Sequence, residues 1–150
     1  MLIFVEGIDK TGKDTVVRYI NELTNYEHCV MSRGPLSSAV YAKKFNREFD
    51  DSCIQMVKDA LFIYLTADTE DLDIRFKLTN EPEINKDDDK ELFYNVLKTY
   101  VDKYDLKVQR VNTSKHTPYE IAKAVKTYLE EEKRNAENKR RWSFKTKDGH

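Results

Sequence analysis

The stretch Gly7-Ile8-Asp9-Lys10-Thr11-Gly12-Lys13 combines two glycines and two lysines at a spacing that can hold a polyphosphate. It fits the first seven positions of the phosphate-binding pattern G-x-x-x-x-G-K-[ST]. Glycines let backbone N–H groups turn inward onto phosphate oxygens. Lys13 can bridge terminal phosphates, and a helix starting near it would aim its positive end at the same anion. At the eighth position Asp14 stands where a Ser or Thr hydroxyl serves Mg²⁺, and Thr15 comes one place late. A carboxylate can bind Mg²⁺ but adds negative charge beside a triphosphate. Two readings therefore stay open: an altered metal site, or a cradle that binds nucleotide weakly. The bland alternative is a glycine turn between a strand and a helix.

The flanking pattern suits the cradle. Leu2–Val5 is a continuous apolar run, as in a strand buried on both faces of a parallel sheet. Val16, Val17, Ile20 and Leu23 recur at helical spacing, which predicts a helix over Lys13–Leu23, closed by Asn25. His28–Met31 reads as a second strand, and Arg33-Gly34-Pro35 breaks the pattern. Ser37 or Ser38 can cap a helix towards Phe49, and Ser52 a short helix through Val57. Leu61–Leu65 is a third strand, followed by a helix from Thr69 to about Lys77 that buries Leu72 and Phe76. Leu78–Asp89 reads as an exposed polar loop. Leu92, Phe93, Val96, Leu97, Tyr100, Val101 and Tyr104 fit an amphipathic helix. Leu106–Val111 is a last strand. Thr117-Pro118-Tyr119-Glu120 is a capping box with proline at the first helical position, and its helix would bury Ile121, Ala124, Val125, Tyr128 and Leu129.

Strands alternating with helices imply an α/β fold with a parallel sheet and right-handed crossovers. The expected architecture is a three-layer α/β/α nucleotide-binding fold with a short sheet of about four strands. Ligands in such sheets sit beyond the carboxyl ends of the strands, so the loops after Val5, Met31 and Leu65 share one rim.

A chain of 150 residues suits one domain with a sizeable core. The formal charge of −1 gives no general reason to bind nucleic acid or membrane. The charge is uneven, however. Residues 133–150 carry seven basic and two acidic side chains, a net +5, which leaves −6 elsewhere. The reading is one phosphate-binding domain over residues 1–132 and a charged tail over 133–150. Such a tail can grip phosphate backbones or be a solvated helix end. Cys29 and Cys53 lack metal or redox spacing and read as buried packing residues in a reducing compartment. The apolar run ending at Glu6 is too short for a signal-peptide core or membrane span, so a cytoplasmic protein is expected.

At this point the chain resembles the thymidylate kinase family, whose loop commonly reads E-G-x-D-[RK]-[ST]-G-K-T-T. Glu6-Gly7-Ile8-Asp9-Lys10-Thr11-Gly12-Lys13-Asp14-Thr15 matches it at all but one place. Ser32-Arg33-Gly34-Pro35-Leu36-Ser37-Ser38-Ala39-Val40-Tyr41-Ala42 is similar to the family's D-R-x-x-x-S-x-x-A-Y-Q, keeping the arginine, the first serine and the tyrosine. Ile63–Asp68 with Arg75 downstream resembles the family's strand, short helix and pre-lid arginine. The resemblance implies ATP and Mg²⁺ as cofactors and a nucleotide acceptor as partner, and it leaves room for a homodimer. It implies that residues Gly7 to Thr15, including Ile8 and Thr11, hold the donor nucleotide with Arg75 assisting. Of the catalytic lysines, Lys13 would hold the donor phosphates and Lys10 would be aimed at the transferring phosphoryl. Asp9 would bind the acceptor sugar or help place the metal. Arg33 would clamp the acceptor phosphate, with Ser37 and Tyr41 on the acceptor side. Such planar recognition suits a guanidinium.

The chain departs from the family at Asp14, at Ser32 in place of aspartate, at Ala42 in place of glutamine, and in having no arginine over 79–89. Asp14 and Ser32 invite a linked reading, in which carboxylate and hydroxyl have exchanged places around one metal. Three functions compete. The first is transfer of the ATP γ-phosphoryl to a deoxynucleoside monophosphate. The second is phosphorylation of a DNA end or modified base, with Trp142 and Phe144 in the basic tail suited to stacking. The third is a degenerate nucleotide-binding protein without catalysis.

Overall fold

The computed structural model describes residues 1–8, 10–78 and 86–148, with backbone alone at 86, 87 and 140–148. Its elements follow in the order β1 (Leu2–Gly7), α1 (Lys13–Leu23), β2 (Cys29–Ser32), α2 (Pro35–Lys44), α3 (Ser52–Met56), β3 (Leu61–Thr66), α4 (Thr69–Leu78), α5 (Lys86–Tyr104), β4 (Lys107–Asn112) and α6 (Pro118–Asp148). The four strands pair in parallel in the order β2-β1-β3-β4. The expected α/β class, with four strands between helical layers, is what the chain forms.

Two apolar clusters lie on the two faces of the sheet, and strand periodicity assigns each residue to one. Ile3 and Val5 of β1, with Leu61, Ile63 and Leu65 of β3, pack on α1 through Val16 and Ile20 and on α6 through Ile121, Val125 and Leu129. Phe4 of β1, with Phe62 and Tyr64 of β3, packs on α2, α3 and α5 through Leu36, Val40, Ile54, Phe93 and Leu97. Phe4 stacks on Phe62 at 5.3 Å between ring centroids. Glu6 follows Phe4 at the strand period, so its carboxylate falls on the α2 side of the sheet.

Several local expectations change. Cys29 and Cys53 are both exposed and free, because β2 is an edge strand and Cys53 stands on the outer side of one-turn helix α3. In α6 the helical phase set from Pro118 buries Ala122 and leaves Ala124 in solvent. Helix α2 starts at Pro35 with Gly34 at its N-cap, so Ser37 lies in the first turn rather than at the cap. Asp51, not Ser52, stands at the N-cap of α3. Helix α5 begins at Lys86, inside the segment expected to be loop, and residues 79–85 of that segment lie outside the described residues. Thr117 caps α6: its hydroxyl accepts from the Glu120 amide at 3.2 Å, and the Glu120 carboxylate takes the same hydroxyl at 3.0 Å in place of the reciprocal backbone bond of a capping box. Helix α6 runs unbroken past residue 132. Among the described residues no helix is long and apolar enough to cross a membrane.

Candidate phosphate-binding site

Strand β1 ends where the sheet has no more room, and the next residues are shaped by that limit. A Cβ at Gly7 would lie 2.5 Å from the Leu65 carbonyl oxygen of the paired strand β3. Gly12, the N-cap of α1, has φ 88°, a left-handed conformation that suits glycine. Lys10 takes a left-handed φ of 65° as well. The chain thus reverses tightly between β1 and α1. Thr11 is fully buried and donates its hydroxyl to the Ile8 carbonyl at 2.8 Å, closing the loop from within.

Lys13 folds back over this loop. Its ammonium donates to the Gly7 carbonyl at 3.0 Å and to the Ile8 carbonyl at 2.6 Å, and the residue is only 6% exposed. The amine is therefore held on the loop itself, at the mouth of α1, where the dipole favours an anion.

A cleft of about 580 Å³ opens there, lined by Lys10, Gly12, Lys13, Asp14 and Thr15 of the loop and helix, and by Ser32 and Arg33 after β2. The two segments meet because β1 and β2 pair in parallel, with Val5 opposite Ser32. Arg33 continues that pairing: its amide donates to the Val5 carbonyl at 2.9 Å, and its φ of 67° turns the chain across the rim. Three cationic side chains thus line one concavity beyond the strand ends. A larger cleft of about 710 Å³ lies elsewhere, against α6, and its lining mixes Glu27, Glu130 and Glu132 with Lys126 and Lys133. The loop cleft is the candidate site by its chemistry, not its size.

Asp14 and Ser32, the two departures from the usual metal pair, line the same cleft. Among the described residues no cluster of three His, Cys, Asp or Glu could hold a metal. Mg²⁺ in phosphate sites needs only one or two protein oxygens, with phosphate and water completing the shell. One carboxylate and one hydroxyl on opposite walls fit that requirement.

Other anticipated residues do not line the cleft. Arg75 of α4 is half-buried and donates from Nη1 to the Lys10 carbonyl at 2.7 Å and to the Thr113 hydroxyl at 3.2 Å. It braces the loop from behind. Tyr41 lies along α2, exposed and stacked parallel on Phe45 at 6.3 Å. Among the described residues neither Tyr41, Ser37 nor Arg75 lines the cleft. Asp9 lies outside the described residues, as do the side chains of Trp142 and Phe144.

The residue to which sequence reasoning assigned no role is Glu6. It is fully buried, and its carboxylate accepts hydrogen bonds from the Gly34 amide, from the Ser37 amide at 3.1 Å and from the Ser37 hydroxyl at 2.7 Å. Burial pushes its carboxyl above the usual carboxylate range, against the opposing pull of these donors. The signal was present: a charged residue completing an apolar strand must find buried partners on the face its neighbour Phe4 chooses.

No protein-family model matches the chain, and no curated protein matches it. Among solved structures it is similar to the YorR protein of Bacillus subtilis, crystallised in complex with phosphorylated GDP. The identity is 20%, the TM-score 0.71, and the match covers 89% of this chain and 98% of that one. That likeness establishes the shared fold.

Proposed function

We propose that the chain is an ATP-dependent phosphotransferase that moves the γ-phosphoryl group onto a nucleotide acceptor, of the deoxynucleoside monophosphate class. The observation that carries this reading is the convergence of Lys10, Lys13 and Arg33 on one cleft beyond the ends of two parallel strands. Phosphoryl transfer is mostly positioning and charge neutralisation, which is what three cations beside the N-terminus of α1 provide. Support also comes from the fold, shared with a protein crystallised with a phosphorylated nucleotide.

Lys13 binds the donor phosphates, exchanging the Gly7 and Ile8 carbonyls for phosphate oxygens. Lys10, turned by its left-handed backbone, faces the group in transfer. Arg33 holds the acceptor phosphate from the opposite wall. Asp14 and Ser32 would hold Mg²⁺, which when bound neutralises phosphate charge. Asp9 orients the acceptor.

The test is a turnover screen with ATP and Mg²⁺ against deoxynucleoside monophosphates, including modified pyrimidines, and short DNA. Formation of a nucleoside diphosphate is the expected result. ATP binding without product on any acceptor would support the second reading, a nucleotide-binding protein without catalysis, which the Asp14 carboxylate in the cleft favours. The exchange of carboxylate and hydroxyl is tested by Asp14→Thr with Ser32→Asp. Each single change should lower Mg²⁺-dependent activity more than the pair does.

A further inference from the structure

Three contacts from β1 fix the segment that carries Arg33. The Val5 carbonyl takes the Arg33 amide. The Phe4 ring fills the space beside Gly34, where a Cβ would lie 2.5 Å from its Cδ1. The Glu6 carboxylate takes the Gly34 and Ser37 amides and the Ser37 hydroxyl. Of these, the last is chemically the most demanding. A fully buried carboxylate is costly to desolvate, and here it offers only acceptors to three converging donors. It also sits at the start of the ten-residue helix α2, where the dipole favours negative charge.

We propose that Glu6 is a positioning residue for the acceptor side: its buried carboxylate, latched to Gly34 and Ser37, fixes where Arg33 presents its guanidinium in the cleft. The inference rests on the reading of Arg33 as the clamp for the acceptor phosphate. Glu6 does not reach the reacting groups. It lies directly before Gly7, so the last turn of β1 sets both walls of the site. Lys10, Gly12 and Lys13 form the donor wall, and the Glu6 side chain anchors the acceptor wall. Ser37, expected to touch the acceptor, serves instead as the partner that completes this latch. An amide at position 6 would turn an N–H₂ group towards a backbone N–H and leave donors facing each other. The arm would then relax while the donor loop, closed by the Thr11 and Lys13 contacts, stays formed.

Glu6→Gln and Ser37→Ala are compared with the wild type by steady-state kinetics with ATP and dTMP, by titration with a fluorescent ATP analogue, and by amide hydrogen exchange over 33–37. Glu6→Gln should raise the dTMP KM or lower its kcat/KM by about 10- to 100-fold, as expected for a misplaced clamp. Ser37→Ala, which removes one hydrogen bond and leaves the core packing intact, should weaken dTMP use by about 3- to 10-fold. Affinity for the ATP analogue should stay within about twofold in both. Equal losses for ATP and dTMP, or an unchanged dTMP kcat/KM in folded Glu6→Gln, would overturn the proposal. Hydrogen exchange separates the two levels. A wild type that binds ATP but never turns over refutes the kinase reading, whereas unaltered protection at Gly34 and Ser37 in Glu6→Gln refutes the latch.

Discussion

Gly34→Ala isolates the fit between the Arg33 segment and the core. Gly34 has φ −151°, extended backbone that alanine adopts readily, so any effect must come from space. The new methyl would lie 2.5, 2.8 and 3.1 Å from three carbons of the Phe4 ring. Phe4 cannot swing clear, because it is 6% exposed and stacked on Phe62. Either the ring leaves its well or the chain at 33–35 lifts off the sheet. Overpacking of this kind costs about 1–3 kcal/mol. For a domain of this size each kcal/mol lowers Tm by about 2–4 °C, so a drop of about 2–12 °C is expected. Urea unfolding of the wild type, Gly34→Ala, Phe4→Leu and the double variant closes a cycle. The smaller side chain should absorb the methyl, giving a favourable coupling of about 0.5–3 kcal/mol. Gly34→Ala with wild-type stability, or strict additivity in the double variant, would refute the steric reasoning.

Lys13→Met should weaken nucleotide binding by about 10- to 150-fold, the equivalent of one charge-assisted hydrogen bond to phosphate, read by titration at fixed salt. Glu6 makes a pH prediction. Its folded-state value lies above its ordinary 4.5, so between the two values the folded chain binds more protons than the unfolded one. Its contribution to stability is therefore greatest below 4.5 and declines as pH rises through that window; Glu6→Gln should lack this decline, and parallel denaturation profiles would count against it. Arg75→Met removes the bonds to the Lys10 carbonyl and Thr113 hydroxyl and should cost about 1.5–3 kcal/mol in chemical denaturation. Thr117→Ala deletes the α6 cap and should cost about 1 kcal/mol, with no change in nucleotide affinity.

The element order and the loop at Gly7–Lys13 were legible because apolar period and glycine placement act locally. The buried runs Leu2–Val5 and Leu61–Leu65 have one sensible home, the middle of a parallel sheet, and they occupy it as β1 and β3. What was not legible depends on neighbours distant in sequence. The exposure of Cys29 follows from β2 standing at the sheet edge, which no local pattern encodes. Ala122 and Ala124 differ only in helical phase, fixed by where α6 meets α1. The role of Arg75 came only from the family resemblance, because its bond to the Lys10 carbonyl spans 65 positions and leaves no local pattern. The Ser37 bonds to Glu6 span 31 positions, and on paper such a hydroxyl is indistinguishable from one that holds a substrate.

Lys10 and Arg33 share a feature with a consequence for evolution in the test tube. Both are cationic and both stand on left-handed backbone, at φ 65° and 67°. Such a conformation disfavours a side-chain-bearing residue relative to glycine by about 1–2 kcal/mol. Glycine would relieve that cost but would also give up every contact the two long side chains make, so a library selected for thermal tolerance alone weighs one against the other at both positions. On the proposed function, a library selected for nucleotide binding should hold the long cations in place. The same two codons would thus report which pressure the population had felt.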